Sequence, residues 1–192
     1  MSGPIESYSV PPAVRRIASA FRITGVISLW SQLVLAVVST LVLLFAAVSL
    51  NVRGEGSNPG TGFGLLFAVA GLIMLYAGAY WAFTYTRLSR KLQASDPKLR
   101  PKPRDATQSL RVGLIINLIG MLLTLLGGQA IVGALLAKSV AQPQGGAVFA
   151  ERLTQFVQPL DIFVVQANTN TIFAHFIGIV ASLWLIRSMN RQ

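Results

Sequence analysis

Residues 112–137 read VGLIINLIGMLLTLLGGQAIVGALLA, 26 residues between Arg111 and Lys138 without one Asp, Glu, Lys or Arg. At 1.5 Å per residue such a helix is about 39 Å long. The hydrocarbon core of a bilayer, about 30 Å thick, takes about 20 apolar residues. The stretch is therefore long enough to cross, and it is not alone. Residues 23–52 form a charge-free run of 30, residues 56–86 one of 31, and residues 162–186 one of 25. Four such windows define the fold class expected here: all-α, a polytopic membrane protein with four transmembrane helices in a compact bundle.

Composition agrees. Of the 192 residues 53% are hydrophobic and only 11% are charged, less than half the roughly 25% charge of an ordinary soluble domain. A net charge of +10 would point to nucleic acid in a soluble chain. Here the cations border apolar spans, so membrane lipid is the expected partner and nucleic acid is not. With no cysteine there is neither a disulfide nor a thiolate metal site. Six acidic residues and one histidine supply a hydrolytic site poorly, so the chain is not expected to be an enzyme. The first apolar run is far longer than a signal-peptide core, and no secretory leader is expected.

Orientation follows from where Lys and Arg fall. With four spans, both termini share a face with the middle loop. Thirteen basic residues lie on that face and three, Arg53, Lys138 and Arg152, on the other. Both termini are therefore expected in the cytoplasm.

Along the chain, residues 1–12 are expected to be disordered. In residues 13–22 the apolar Val14, Ile17, Ala18 and Phe21 recur at helical spacing opposite Arg15, Arg16 and Arg22. Two readings stay open there: a short amphipathic helix on the headgroups, or an extension of span one. The spans themselves are expected at about 23–50, 62–86, 108–137 and 162–187. The first loop turns at Asn58-Pro59-Gly60. The basic loop 87–107 breaks at Pro97, Pro101 and Pro103, with Asp105 or Thr107 as the cap of span three. On the far side, Pro143-Gln144-Gly145-Gly146 reads as a turn and residues 149–157 as a short interfacial helix. The basic loop is either a topology signal alone or also a docking surface.

Lipid tails are as apolar as leucine, so membrane helices associate through small residues and polar side chains. Span three carries Gly113, Asn117, Gly120, Thr124, Gly127, Ile131 and Ala134 within an arc of about 80°. Span four aligns Asn168, Thr171, His175, Gly178 and Ser182; span two Gly64, Ala68, Gly71, Gly78 and Ala82; span one Gly25, Ser28, Gln32, Ser39 and Ala46. Asn117, Gln129, Gln166, Asn168, Asn170 and His175 are the candidate site residues, either a pathway or interhelical glue. His175 is the one ionisable group well inside a span and the one candidate metal ligand. Asp161 lies fourteen residues away, about 21 Å along the helix, too far to share a metal. The other roles open to it are a structural hydrogen bond, a proton relay and a ligand to pigment or haem. No cofactor is otherwise indicated, though pigment or lipid would find room in such a bundle.

The stretches GLIINLIGM (113–121), LGGQAIVG (126–133), DIFVVQANTNT (161–171) and HFIG (175–178) resemble spans three and four of a known family. WSQLV (30–34) and YTRL (85–88) add matches in spans one and two. The likeness covers about residues 15–189. That family comprises cyanobacterial membrane proteins and a chloroplast inner-envelope protein proposed both as a protein-import translocon component and as an iron permease. The resemblance implies an integral protein of a cyanobacterial plasma or thylakoid membrane, the absence of an evident transit peptide favouring a cyanobacterial member. It implies transport of a metal ion, iron above all, or of a small solute. The alternative is a non-transporting scaffold, assembly factor or accessory subunit for membrane-protein insertion or a photosynthetic complex. A homo-oligomer, or a place in a larger membrane complex, is expected in either case.

A reporter enzyme fused after Gln192 should be active only in its cytoplasmic form. Activity confined to the far side of the membrane would reverse the charge-based orientation.

Overall fold

The computed structural model describes residues 11–53, 59–94, 96, 99–140 and 157–190. Four helices run through them: α1 (Pro12–Arg53), α2 (Pro59–Leu92), α3 (Pro103–Val140) and α4 (Pro159–Asn190). All four are long and apolar enough to cross a membrane. Each begins at a proline, whose fixed φ suits the first helical position, where a backbone N–H has no partner to lose.

The helices run up, down, up, down. Each packs along the two that flank it in the order α1, α2, α3, α4 and back to α1, and α2 also meets α4 across the centre. Outward faces are mostly large and apolar: Trp30, Leu41, Phe45, Leu66, Ile73, Leu122 and Trp184 are all exposed. Inside sit alanine, serine, glycine and threonine. This is the inverse of a water-soluble bundle and is what hydrocarbon outside requires.

Residues 13–22, for which two readings stood open, are the first turns of α1 itself. Ala18 and Phe21 of the apolar stripe are fully buried against protein. Phe21 meets Tyr85 edge-on with ring centroids 6.4 Å apart, and it clusters with Ala82, Leu110 and Leu185. The Ser89 hydroxyl donates to the Ala18 carbonyl at 2.7 Å. That end of the bundle is thus closed by a small protein core.

Helix α3 begins at Pro103, ahead of the span expected from about residue 108. Asp105 then falls in the first turn, where a carboxylate suits the positive end of the helix. Thr107 donates back to the Pro103 carbonyl at 3.0 Å and caps nothing. At α4, Asp161 accepts from the Gln158 N–H at 2.9 Å, the acidic half of a capping box, and pairs with Lys138 at 3.3 Å. Pro59 and Gly60, expected at a corner, already belong to α2. Residues 1–10, Asn58, Pro97, the 143–146 turn and most of the 149–157 segment lie outside the described residues.

The α2–α3 contact shows why these helices lie so close. Gly64, Gly71 and Gly78 face Ile131, Thr124 and Asn117 in antiparallel register, one pair every seven residues. A seven-residue repeat is the spacing that keeps two helices in contact as they coil left-handed. A Cβ on Gly127 would stand 2.8 Å from the Ala68 backbone nitrogen, which cannot swing away. Gly133, by contrast, has nothing within 4 Å.

Gly127→Ala should therefore lower stability by about 1–3 kcal/mol through overpacking, despite alanine's better helix propensity. Gly133→Ala should leave it unchanged or slightly raised. Unfolding in mixed detergent micelles measures both; equal effects at the two positions would contradict the close α2–α3 approach.

Candidate functional site

Near the middle of the bundle three helices meet at one imidazole, with an amide of the fourth close by. His175, on α4, is completely buried. Its Nδ1 lies 3.1 Å from Asn117 Oδ1 on α3, and its Nε2 lies 3.1 Å from the Gly71 carbonyl on α2. Asn117 donates through Nδ2 to the Gly113 carbonyl at 2.9 Å. From α1, Gln32 donates through Nε2 to the Ser28 hydroxyl at 2.7 Å.

Glycines make the room. A Cβ on Gly120 would run into the His175 ring, and one on Gly178 would sit 2.5 Å from Asn117 Oδ1. A Cβ on Gly78 would meet Asn117 Oδ1 and Gln32 Oε1, each at 2.8 Å. The side chain of α3 is thus clamped between glycines of α2 and α4, with the α1 amide alongside.

Acceptors outnumber donors at this knot. Both ring nitrogens face oxygens, and a neutral imidazole carries a proton on one nitrogen only. With the proton on Nε2, serving the Gly71 carbonyl, the Nδ1 contact is filled only if the Asn117 amide turns over; with it on Nδ1, the Gly71 contact stays unfilled. Turning it over would set an oxygen against the Gly113 carbonyl. The Gln32 Oε1 also has no partner. A metal at His175 would have to displace one of its two oxygen contacts. Among the described residues no three His, Cys, Asp or Glu side chains come together.

Two further levels repeat the pattern. Toward the Lys138–Asp161 end, Asn168 donates through Nδ2 to the Thr124 carbonyl at 3.0 Å, and Ser39 donates to the Ala167 carbonyl at 2.9 Å. Asn168 Oδ1 is buried without a partner. Toward the basic end, the Tyr85 and Ser182 hydroxyls lie 3.1 Å apart, and Trp81 donates to the Ser109 carbonyl at 2.8 Å.

The six candidate residues accordingly separate into two sets. Asn117, Asn168 and His175 are buried between helices. Gln129 and Gln166 are exposed, and Asn170 is half-buried; Gln166 donates to Asn170 Oδ1 at 3.0 Å along the surface of α4. Only the first set shares the interior. Helical phase separates them: a residue two places from a seam position lies about 160° round the helix, as Gln166 and Asn170 do from Asn168. Gln32 and Ser39, seam residues left out of the candidate set, belong to the interior. The Gly71 carbonyl, a backbone atom, leaves no trace in sequence.

One groove opens on the flank, between α3 and α4, about 190 Å³ in volume. Gly128, Gln129 and Val132 line it from α3, with Val165, Asn168 and Ile172 from α4.

These features define an integral membrane protein: a four-span bundle tied by polar contacts at three depths. The family follows from comparison. Residues 11–190 match the model of the family described as "Protein of unknown function (DUF3611)", and the chain belongs to that family. It is 36% identical over 186 residues to "Protein TIC 21, chloroplastic" of Arabidopsis thaliana, a match covering 94% of this chain. The chain spans about 60% of the length of that relative. No solved structure matches.

His175→Phe keeps most of the ring volume and removes both nitrogen contacts. It should cost about 1–3 kcal/mol, the value of one or two interhelical bonds plus an orphaned amide. Detergent unfolding checks it; an unchanged midpoint would mean the imidazole contributes nothing to holding the bundle.

Proposed function

We propose that this chain is a non-enzymatic membrane scaffold that serves the insertion or assembly of other membrane proteins. The observation supporting it is how the polar seam is spent. His175, Asn117, Asn168, Ser39 and Tyr85 each make a hydrogen bond from one helix to another. A permeating cation needs ligands free to replace its water, and amides are weak ligands for a divalent transition metal. A scaffold needs a rigid, closed bundle with an informative exterior. The resemblance to the import and permease family, with Protein TIC 21 as a relative, fits a place in a larger membrane complex. The membrane is the plasma or thylakoid membrane of a cyanobacterium, with both termini and the basic loop in the cytoplasm. Membrane lipid meets the apolar exterior.

Transport of iron or a small solute is the second reading. It is favoured by two buried amide oxygens without partners, Gln32 Oε1 and Asn168 Oδ1, at two depths of the same seam.

Two measurements separate the readings. Purified protein in liposomes should give no ferrous-iron influx above empty vesicles, and the tagged chain should co-purify with membrane-protein insertion factors. Iron influx that His175→Ala or Asn168→Ala abolishes without loss of folded protein would overturn the scaffold in favour of transport.

A further inference from the structure

The two ends of the bundle carry charge differently. At one end Lys138 and Asp161 neutralise each other at 3.3 Å. At the basic end, the charge nearest the hydrocarbon on each helix is an arginine: Arg22 on α1, Arg87 on α2, Arg111 on α3 and Arg187 on α4. All four are exposed, and none makes an ion pair or a side-chain hydrogen bond among the described residues.

The four share a depth. Gly78 and Gly178 both lie against Asn117, and Gly78 also meets the Gln32 amide, so these residues mark one level of the four helices. Arg22 stands ten residues from Gln32, Arg87 nine from Gly78, Arg111 six from Asn117 and Arg187 nine from Gly178, all toward the basic end. At 1.5 Å per residue that is about 9–15 Å, a spread no wider than the headgroup layer, about 5–8 Å on each side of a bilayer. They share a phase as well. Four residues inward from each arginine, one turn along the same face, stands an exposed apolar side chain: Val26, Phe83, Ile115 and Leu183. A topology signal needs only an excess of cations on one side, not one above an outward apolar strip on every helix.

We propose that the basic end is a binding collar for anionic phospholipid, each arginine holding a headgroup phosphate while the acyl chain lies along the apolar strip one turn below. The guanidinium fork matches phosphate oxygens two at a time. A lipid brings both halves of the match, an anionic head and an apolar tail joined at the height where the arginines stand. An acidic peptide or a nucleic acid meets the charge and leaves the strips bare. Net negative charge matters because the four cations pair with no acid among the described residues. A zwitterionic headgroup supplies a phosphate but cancels it with its own cation, whereas an anionic one attracts basic residues at the membrane surface. The collar serves a scaffold and a transporter alike.

The test places the full chain in phosphatidylcholine liposomes that carry a trace of spin-labelled phosphatidylglycerol or spin-labelled phosphatidylcholine. The motionally restricted part of the spectrum measures the label held at the protein surface. Phosphatidylglycerol should be held about fivefold more strongly, the attraction usual for one cation at an anionic surface. That preference should fall as salt is raised. Arg22→Gln, Arg87→Gln, Arg111→Gln and Arg187→Gln combined should bring the two lipids close to parity. The unfolding midpoint in detergent should stay unchanged, because the four side chains are exposed and unpaired. Arg53→Gln, at the other end of α1, should leave the preference as it is. Parity in the unsubstituted chain, a preference indifferent to salt, or one that survives the fourfold variant would overturn the proposal. So would displacement of the held phosphatidylglycerol by a short oligonucleotide or by polyglutamate, which would mark the arginines as a site for a soluble polyanion.

Discussion

In hydrocarbon an imidazole has no water to fall back on, and His175 has an oxygen within hydrogen-bond reach on each of two neighbouring helices. The contact with Asn117 ties α4 to α3, and the contact with the Gly71 carbonyl ties α4 to α2. Gln32 brings α1 to the same depth. Apolar burial does little to hold such a bundle together, because the tails outside compete equally for the same faces. Polar contacts and close packing have to supply the cohesion, and here both come from the same residues. Asn117 reaches His175 only because Gly78 and Gly178 stand on either side of it.

The glycine repeat on α2 and the seam on α3 are two halves of one device. Gly71 leaves space for Thr124, and Thr124 in turn offers its carbonyl to Asn168. Gly120 leaves space for the His175 ring. Gly71, Gly78, Gly120 and Gly178 are each matched by a polar residue on a neighbouring helix, so close approach and hydrogen bonding reinforce each other along the bundle axis. Most of the interior polarity is spent between helices, with Gln32 Oε1 and Asn168 Oδ1 left without partners, while Gln129, Gln166 and Asn170 lie toward the surface.

Much of this architecture was legible in the residues because hydrocarbon imposes hard constraints. The four charge-free windows set the number of spans, and the alternation of four and three between Gly113 and Ile131 marked the buried face of α3 in advance. The split among the six candidate polar residues was less visible. An amide in an apolar run looks alike whether it points in or out, and only its phase against the seam separates Gln129 from Asn117. Two things could not be read at all. One is the vertical register that puts Gly120 against His175, since several offsets of two regular seams place a glycine opposite a side chain. The other is the Gly71 carbonyl, which any residue would supply. The helix start at Pro103 is hidden for a local reason: among Pro97, Pro101 and Pro103 each proline reads as a breaker, whereas proline at a first helical position is a beginning.

The central claim is that the seam is packed and dry. It is tested most directly by reactivity at three buried alanines of α4, Ala167, Ala174 and Ala181, each replaced singly by cysteine in the cysteine-free chain and exposed to a small water-soluble maleimide in intact membranes. The account predicts no labelling at any of the three until the protein is unfolded in denaturing detergent. Rapid labelling of folded protein at consecutive positions, 167 then 174 then 181, would reveal water along the bundle axis and contradict it.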